Sequence, residues 1–378
     1  MKKDGVIYTS IMYKSGKKKK KIQKYRCENG HVFNFDDGQR YTNSFIEVVV
    51  FVYLNCLSLN TTIEIIRAWY DDDILSKGKV LDFLEQVADA VPSMDDIDNV
   101  YHPHRSGYIA LDGVWFKFRG MQIVLLVCFD PESFDVIEAI WSLREDEKSY
   151  TKLIVNVIKK MKGKPIKGVY ADGDKGLMLS LKKHLPTIPF QLCVVHKEMR
   201  MGQIIPVKSV NASKQMDKQV KTEIKEFQDK FRSVIYADTK ANAYESMKEL
   251  KQFVNSIHGS NEQRFKKAVR SLNTNFKYTL THFDYPEMER DNNLIECFNG
   301  IIKPRLKLMK GFKKYKNVSR YLKLFLLDYR FHKLKESRFE ERRGLTPLQL
   351  ANVELPKYHN FLSFLRNQLN LDFTSPSH

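Results

Sequence analysis

Between residues 43 and 91, apolar side chains recur every three to four positions, in SFIEVVVFVYL, NTTIEIIRAWY and DILSKGKVLDFLEQVADAV. That period predicts three short helices, with Asn60 and Thr61 offering an N-cap ahead of IEIIRAWY. From residue 107 the pattern changes. GYIALDGVWFKFRG, MQIVLLVCFD and FDVIEAIWSLRE predict three strands, joined by tight turns at Arg119-Gly120 and Pro131-Glu132. An amphipathic helix comes next in YTKLIVNVIKKMKG, then a strand in IKGVYAD, a short helix in LMLSLKKHL and a fifth strand in PFQLCVV. Residues 198–281 are charged and helical in period, with no strand pattern, and read as an all-helical insertion. After the loop YPEMERDNN a further helix begins at LIECFNGIIK. GLTPLQLANVELP reads as a short capped helix, and TSPSH as a tail.

The order β-β-β-α-β-α-β predicts an α/β fold with a mixed sheet, an antiparallel meander continued by crossover helices. Few architectures match that order, and the RNase H-like fold leads them. Six segments are expected. They are a basic segment over 1–40, a helical region over 41–104, the first part of the core over 105–197, the insertion over 198–281, the last part of the core over 282–345 and a C-terminal tail over 346–378. The three helices of 41–104 suit a helix-turn-helix unit and a plain bundle equally.

Charge narrows the class of partner. The 378 residues carry 63 Lys plus Arg against 45 Asp plus Glu, a net of +18, which favours a polyanion, nucleic acid before an anionic membrane. Hydrophobic residues are 43% of the chain, so it folds rather than staying disordered. The longest apolar runs, 48–54 and 123–129, are too short to span a bilayer. No apolar segment lies behind the charged N-terminus, so no signal peptide is expected. Five scattered cysteines (27, 56, 128, 193 and 297) point to a reducing compartment. A cytoplasmic location is expected, with association with the nucleoid when DNA is bound.

Two basic stretches stand out. Residues 14–26 carry eight bases and no acid and read as a solvated, flexible run able to grip phosphates. Residues 303–323 carry nine bases and no acid. Lys303, Arg305, Lys307, Lys310, Lys313 and Lys314 are the DNA-binding candidates there. Between the first run and the helices, Cys27 and His31 take a spacing that a zinc ribbon uses. A closed zinc site needs four ligands and no second Cys pair lies upstream, so zinc is not expected on this chain alone.

Three acids carry the candidate chemistry. Asp112 lies within a strand whose two faces are both mainly apolar, where an ionised carboxylate needs a compensating cation or base; a satisfied structural Asp beside Gly113 is the alternative. Asp172 ends the apolar run VYAD, and Gly173 and Gly176 are expected to let the backbone turn sharply into the next helix. Asp174, two residues on, is a turn residue or an outer-shell ligand. Glu296 falls in the first turn of a helix that Asn292 or Asn293 can cap, with Asn299 and Lys303 on the same face. Three carboxylates of this kind suit Mg²⁺ or Mn²⁺. Together they would hold two ions about 3.5–4 Å apart for phosphodiester chemistry, with the stretch 303–323 running beside them.

ALDGVW, VYADGDKGL, FQLCVVHKEMR and DNNLIECFNGIIKPRLKLMKGF, in that order over about residues 105–345, resemble the blocks of DDE transposases of the Mutator-like and related prokaryotic insertion-sequence type. The resemblance implies an RNase H-like catalytic core with catalytic and metal-binding acids at Asp112, Asp172 and Glu296. It also implies a Cys-x2-His signature at Cys193 and His196 and a helical insertion before the Glu. A lone Cys-x2-His supplies two of four zinc ligands, and an organising hydrogen bond near the acids is the reading favoured for it. The resemblance further implies metal-dependent cleavage at transposon ends, strand transfer into target DNA and a homo-oligomer acting on double-stranded DNA. An N-terminal zinc ribbon followed by a helix-turn-helix is implied too, although KYRCENGHVF matches only the second half of such a ribbon. Two alternatives stay open: a non-catalytic or domesticated DNA-binding derivative, and an RNase H-like nuclease that lacks strand transfer.

Overall fold

The computed structural model describes residues 1–36, 38–55, 58–70, 75–205, 217–309, 314–335 and 339–374. The chain opens with strands β1 (Lys2–Tyr13), β2 (Gly16–Arg26) and β3 (Val32–Asn34), then helices α1 (Asn43–Asn55), α2 (Leu59–Tyr70), α3 (Lys77–Ala90) and α4 (Met94–Tyr101). Strands β4 (Tyr108–Phe118), β5 (Met121–Asp130) and β6 (Asp135–Ser142) come after them, then α5 (Glu147–Lys160), β7 (Gly168–Ala171), α6 (Lys175–His184) and β8 (Phe190–Leu192). Next come α7 (Val194–Ile204), α8 (Lys218–Ile235), α9 (Lys240–Ser256) and α10 (Glu262–Asn273). The last helices are α11 (Asn293–Leu308), α12 (Tyr315–Phe331), α13 (Pro347–Leu350) and α14 (Phe361–Leu369). Two compact units result: Met1–His104 with Lys117–Gln122 and Ile302–His378, and Arg105–Phe116 with Ile123–Ile301.

The first unit departs from expectation at both ends. Residues 14–26 are not a loose basic run. They form β2, which pairs with β1 from Tyr13↔Gly16 to Lys2↔Arg26 and with β3 through Tyr25↔Phe33. Ile7 and Ile11 of β1 share a face with Ile22 of β2, but the lysine run hides that pattern in the sequence. Cys27 and His31 close the turn from β2 to β3, with the Cys27 sulfur 3.6 Å from His31 Nδ1 and the Cys27 N–H donating to the His31 carbonyl at 3.0 Å. The cap of α2 is Ser58, whose Oγ accepts from the Thr61 N–H at 3.0 Å, so Asn60 and Thr61 lie inside the helix. The fourth helix, α4, is fixed by a capping box between Ser93 and Asp96.

The C-terminal residues are equally structured. Within 346–378 the short capped helix expected in GLTPLQLANVELP is α13, with Thr346 in a capping box, and the unexpected helix is α14, which packs on α1. There Ser363 and Arg366 both donate to the buried Glu47 carboxylate. The basic stretch divides in two. Arg320 is 8% exposed and paired with Glu85 and Asp89, and Lys323 donates to the Ala88 carbonyl at 2.8 Å. Those two bases are structural. Lys303, Lys307 and Lys314 are exposed, whereas Arg305 is half-buried over the Phe325 ring, 4.9 Å from its centroid. Lys310 and Lys313 lie outside the described residues.

The second unit is a mixed α/β assembly around a five-stranded sheet ordered β6-β5-β4-β7-β8. Strands β5 and β6 pair antiparallel, and β4-β7 and β7-β8 pair parallel. A tight turn at Arg119-Gly120, both with positive φ (49° and 81°), joins β4 to β5. Helices α5 and α6 cover one face through Tyr150, Leu153, Ile154, Val157, Leu177 and Leu181, all buried against Leu111, Val124 and Leu126. Helices α7 to α10 enclose a core of their own, in which Phe227 and Phe265 stack at 4.3 Å. This helical block starts at Val194, earlier than the expected 198, and its segment 206–216 lies outside the described residues.

Neither Gly173 nor Gly176 has a positive φ, so the passage from β7 into α6 does not draw on the left-handed freedom of glycine. Gly176 permits a close approach instead. A Cβ there would sit 2.6 Å from the Asp146 carbonyl carbon and 2.7 Å from the Glu147 nitrogen, at the start of α5. Gly176→Ala is therefore expected to lower unfolding free energy by about 1–3 kcal/mol, the cost of overpacking. Denaturant or thermal unfolding measures it, and an unchanged midpoint would contradict the packing described.

Candidate functional site

Strand register brings two of the acids together. The parallel pairing of β4 with β7 ends at Leu111↔Ala171, so Asp112 and Asp172 are the next residues on neighbouring strands. Asp112 is 7% exposed, and its hydrogen bonds come from neutral amides. The Gly113 N–H donates to Oδ1 at 2.8 Å, and the Asn299 side chain donates to Oδ2. Burial first, then the nearby carboxylates of Asp172 and Glu296, push the Asp112 carboxyl up to about 7. Burial also raises that of Asp172, with charge near His196 pulling the other way.

Asp174 has a different task. Its carboxylate accepts from the Leu177 N–H at 3.0 Å and so caps α6, while its own N–H donates to Asp172 Oδ1 at 3.2 Å. It fixes the turn and the direction of Asp172.

Glu296 arrives on the first turn of α11. Ile295 and Phe298 on that helix are buried, and the Phe298 ring lies 5.7 Å from that of Phe129 on β5. Packing of this apolar pair leaves Glu296 and Asn299 to face the strand-end acids. His196 Nε2 lies 3.2 Å from Glu296 Oε1. The Cys193 sulfur and the Glu296 carboxylate both raise the His196 pKa, outweighing burial. Cys193 also accepts from the Asn292 N–H at 3.3 Å. Cys193 and His196 thus both touch the segment that carries Glu296, one from the end of β8 and the other from α7. Among the described residues no group of three His, Cys, Asp or Glu side chains is arranged to hold a single metal ion.

Three further contributors escape a reading by motif. Gln191, a fully buried amide in the middle of β8, donates to the carbonyls of Leu192, Thr279 and Arg290 at 3.0–3.1 Å and accepts from the His282 N–H at 2.9 Å. It ties down the segment that delivers Glu296. Its one signal in the sequence is a lone polar residue inside the apolar run PFQLCVV. Glu145 accepts from Trp115 Nε1 at 2.6 Å and from the Tyr150 hydroxyl, and burial raises its pKa. A Cβ at Gly113 would collide with the Glu145 carboxylate, so that glycine makes room for a fourth acid. Lys197 donates to the Ser271 and Thr274 carbonyls at the end of α10. Asp172, Asp174, Glu145, His196, Lys175 and Arg200 line one open cleft of about 570 Å³.

The raised pKa of Asp112 has a measurable consequence. Folded protein keeps a proton that the unfolded chain releases near pH 4, so stability in divalent-free buffer falls as pH rises from about 4 to about 7. The loss is on the order of 4 kcal/mol. Asp112→Asn should flatten that decline and melt higher than the parent at pH 8. Parallel melting-temperature curves for the two proteins would contradict the assignment.

No curated protein matches the chain. Among solved structures, a chain in the cryo-electron microscopy structure of a simian T-cell lymphotropic virus intasome in complex with PP2A regulatory subunit B56 gamma aligns with 60% of this chain and 68% of its own, at 12% identity and a TM-score of 0.20. A similarity of that size supports no conclusion about fold or function. The family match is of another order: the family described as "Transposase, Mutator family" matches residues 14–333. That span takes in the acids, the Cys193-x2-His196 pair and the helical block, and the chain belongs to the Mutator family of transposases.

Proposed function

We propose that this protein is a DNA transposase of RNase H-like architecture that cleaves phosphodiester bonds at the ends of its element and joins them to target DNA. Asp112, Asp172 and Glu296 act as the metal-holding carboxylates. The observation that carries the proposal is the register of β4 with β7, which sets Asp112 and Asp172 side by side, with Glu296 on the first turn of α11 close enough to raise the pKa of both. The strand order β6-β5-β4-β7-β8 supports the RNase H-like reading. The family supports action on transposon and target DNA, by an oligomer.

The donor set fits hard divalent cations such as Mg²⁺ or Mn²⁺. Asp112 and Asp172 follow the last pair of neighbouring strands, and Glu296 is near enough to raise the Asp112 pKa; Asp112 is buried and hydrogen-bonded by neutral amides, and its raised pKa is a state that binding of a cation would reverse. When bound, such ions activate the attacking water or 3′-hydroxyl and neutralise the departing oxygen. The chain's own residues do the rest. Asn299 orients Asp112, Asp174 orients Asp172, and His196 holds Glu296 while offsetting part of the cluster's negative charge.

Asp112→Ala, Asp172→Ala and Glu296→Ala should each lower end cleavage by about 10³-fold or more, with binding to the end sequence nearly unchanged. Asp174→Ala should chiefly cost helix-cap stability, about 1 kcal/mol, with a milder effect on rate. A gel assay of strand cleavage in Mg²⁺ reads these outcomes. Full activity in any of the three alanine variants removes that residue from the site, and parent protein that binds ends without cutting them leaves the non-catalytic reading.

A further inference from the structure

The N-terminal sheet carries two exposed features on one face. Register places Tyr8 opposite Lys21, Ser10 opposite Lys19, Met12 opposite Lys17 and Tyr25 opposite Phe33, so alternate residues of β2 share this face with the aromatic side chains. Lys17, Lys19 and Lys21 are exposed and spaced about 7 Å apart along the strand. Beside them the rings of Tyr25, Phe33 and Phe35 lie 5.5–6.3 Å from one another. Tyr8 is 66% exposed and Phe35 is 73% exposed. The opposite face carries the buried Ile11 and Ile22 together with Lys18 and Lys20, and the lysine face itself is covered only at its Tyr13 end, where Met12 is buried. Acids are absent from the lysine face in β1 to β3. Asp4 is engaged with Arg26, and Asp36 with Lys20 and Arg40.

Large aromatic side chains left in water on a strand face are unfavourable unless a partner covers them. The lysine row selects a polyanion. A duplex would satisfy the lysines, but it keeps its bases stacked and offers groove edges rather than ring faces. Unpaired nucleotides offer both a phosphate backbone and free ring faces, and stacking on aromatic side chains is how sheet surfaces hold them. We propose that this face of β1-β2-β3 is a docking surface for single-stranded DNA, with Lys17, Lys19 and Lys21 on the phosphates and Tyr8 and Phe35 stacked on bases. The surface uses no residue of the acid cluster or of helices α1 to α4. It gives a transposase a hold on the unpaired strand that cleavage exposes.

Photocrosslinking of the full-length protein to a single-stranded oligodeoxynucleotide bearing 5-iododeoxyuridine, with peptide mapping, tests the contact directly. Crosslinks are expected in the peptides containing Tyr8 and Phe33–Phe35; crosslinks found only elsewhere would overturn the proposal. Fluorescence anisotropy with a single strand and a duplex of equal length tests the choice of strand form. Tyr8→Ala with Phe35→Ala should weaken single-strand binding at least about tenfold and leave duplex binding within about twofold. Lys17→Ala with Lys19→Ala and Lys21→Ala should weaken both and flatten the salt dependence. Equal loss for both strand forms in the ring variant would make the face a duplex reader and refute the single-strand assignment. Far-UV circular dichroism checks that the variants stay folded. Binding is read without cleavage, so the outcome does not depend on the roles of Asp112, Asp172 and Glu296.

Discussion

The parallel pairing of β4 with β7 is the constraint on which the second unit depends. Its last pair, Leu111↔Ala171, fixes the position of the next residue on each strand, and on both strands that residue is an aspartate. A one-residue slip in either strand would send one carboxylate to the other face of the sheet. Apolar contact holds the register. Leu111 and Ala171 are fully buried, and the α5 and α6 side chains close over them. Sheet packing of this kind supplies the energy that places Asp112 where an ionised carboxylate is disfavoured.

Glu296 reaches the same place by a different physical route. No strand delivers it. Segment 279–292 is anchored on β8 by the buried Gln191 amide and by backbone and sulfur contacts from Val194 and Cys193. The apolar face of α11 then orients the helix, with Phe298 against Phe129. His196 meets Glu296 from α7, so the Cys193-x2-His196 pair connects strand, helical block and acid. Polar anchors in a buried setting are costly to leave unsatisfied, and here each is used to fix geometry.

Periodicity makes much of this legible. The strands from Tyr108 to Leu192 and the helices α5 and α6 emerge from apolar spacing alone, and the positions of Asp112 and Asp172 in apolar strands raise them above other acids. The N-terminal sheet is hidden because lysines on both faces of β2 erase the alternation on which strand reading relies. Helix α14 is hidden because two of its polar residues, Ser363 and Arg366, face a buried Glu47 more than 300 positions away. The basic stretch 303–323 reads as one surface in sequence, yet Arg320 and Lys323 are engaged with α3, a distinction charge counting cannot make. Gln191 and Glu145 take their importance from partners distant in sequence, and the lone amide in an apolar run is the only local hint of either.

Convergence of the three acids on bound cations is tested most directly by metal-directed cleavage of the protein itself. Fe²⁺ substituted for Mg²⁺, with ascorbate and peroxide, cuts the backbone beside the ion. Fragments ending near residues 112, 172 and 296 are expected from the same preparation, suppressed by excess Mg²⁺ and lost in Asp112→Asn. Fragments that map elsewhere, or cuts beside one acid that never include the other two, would contradict that convergence.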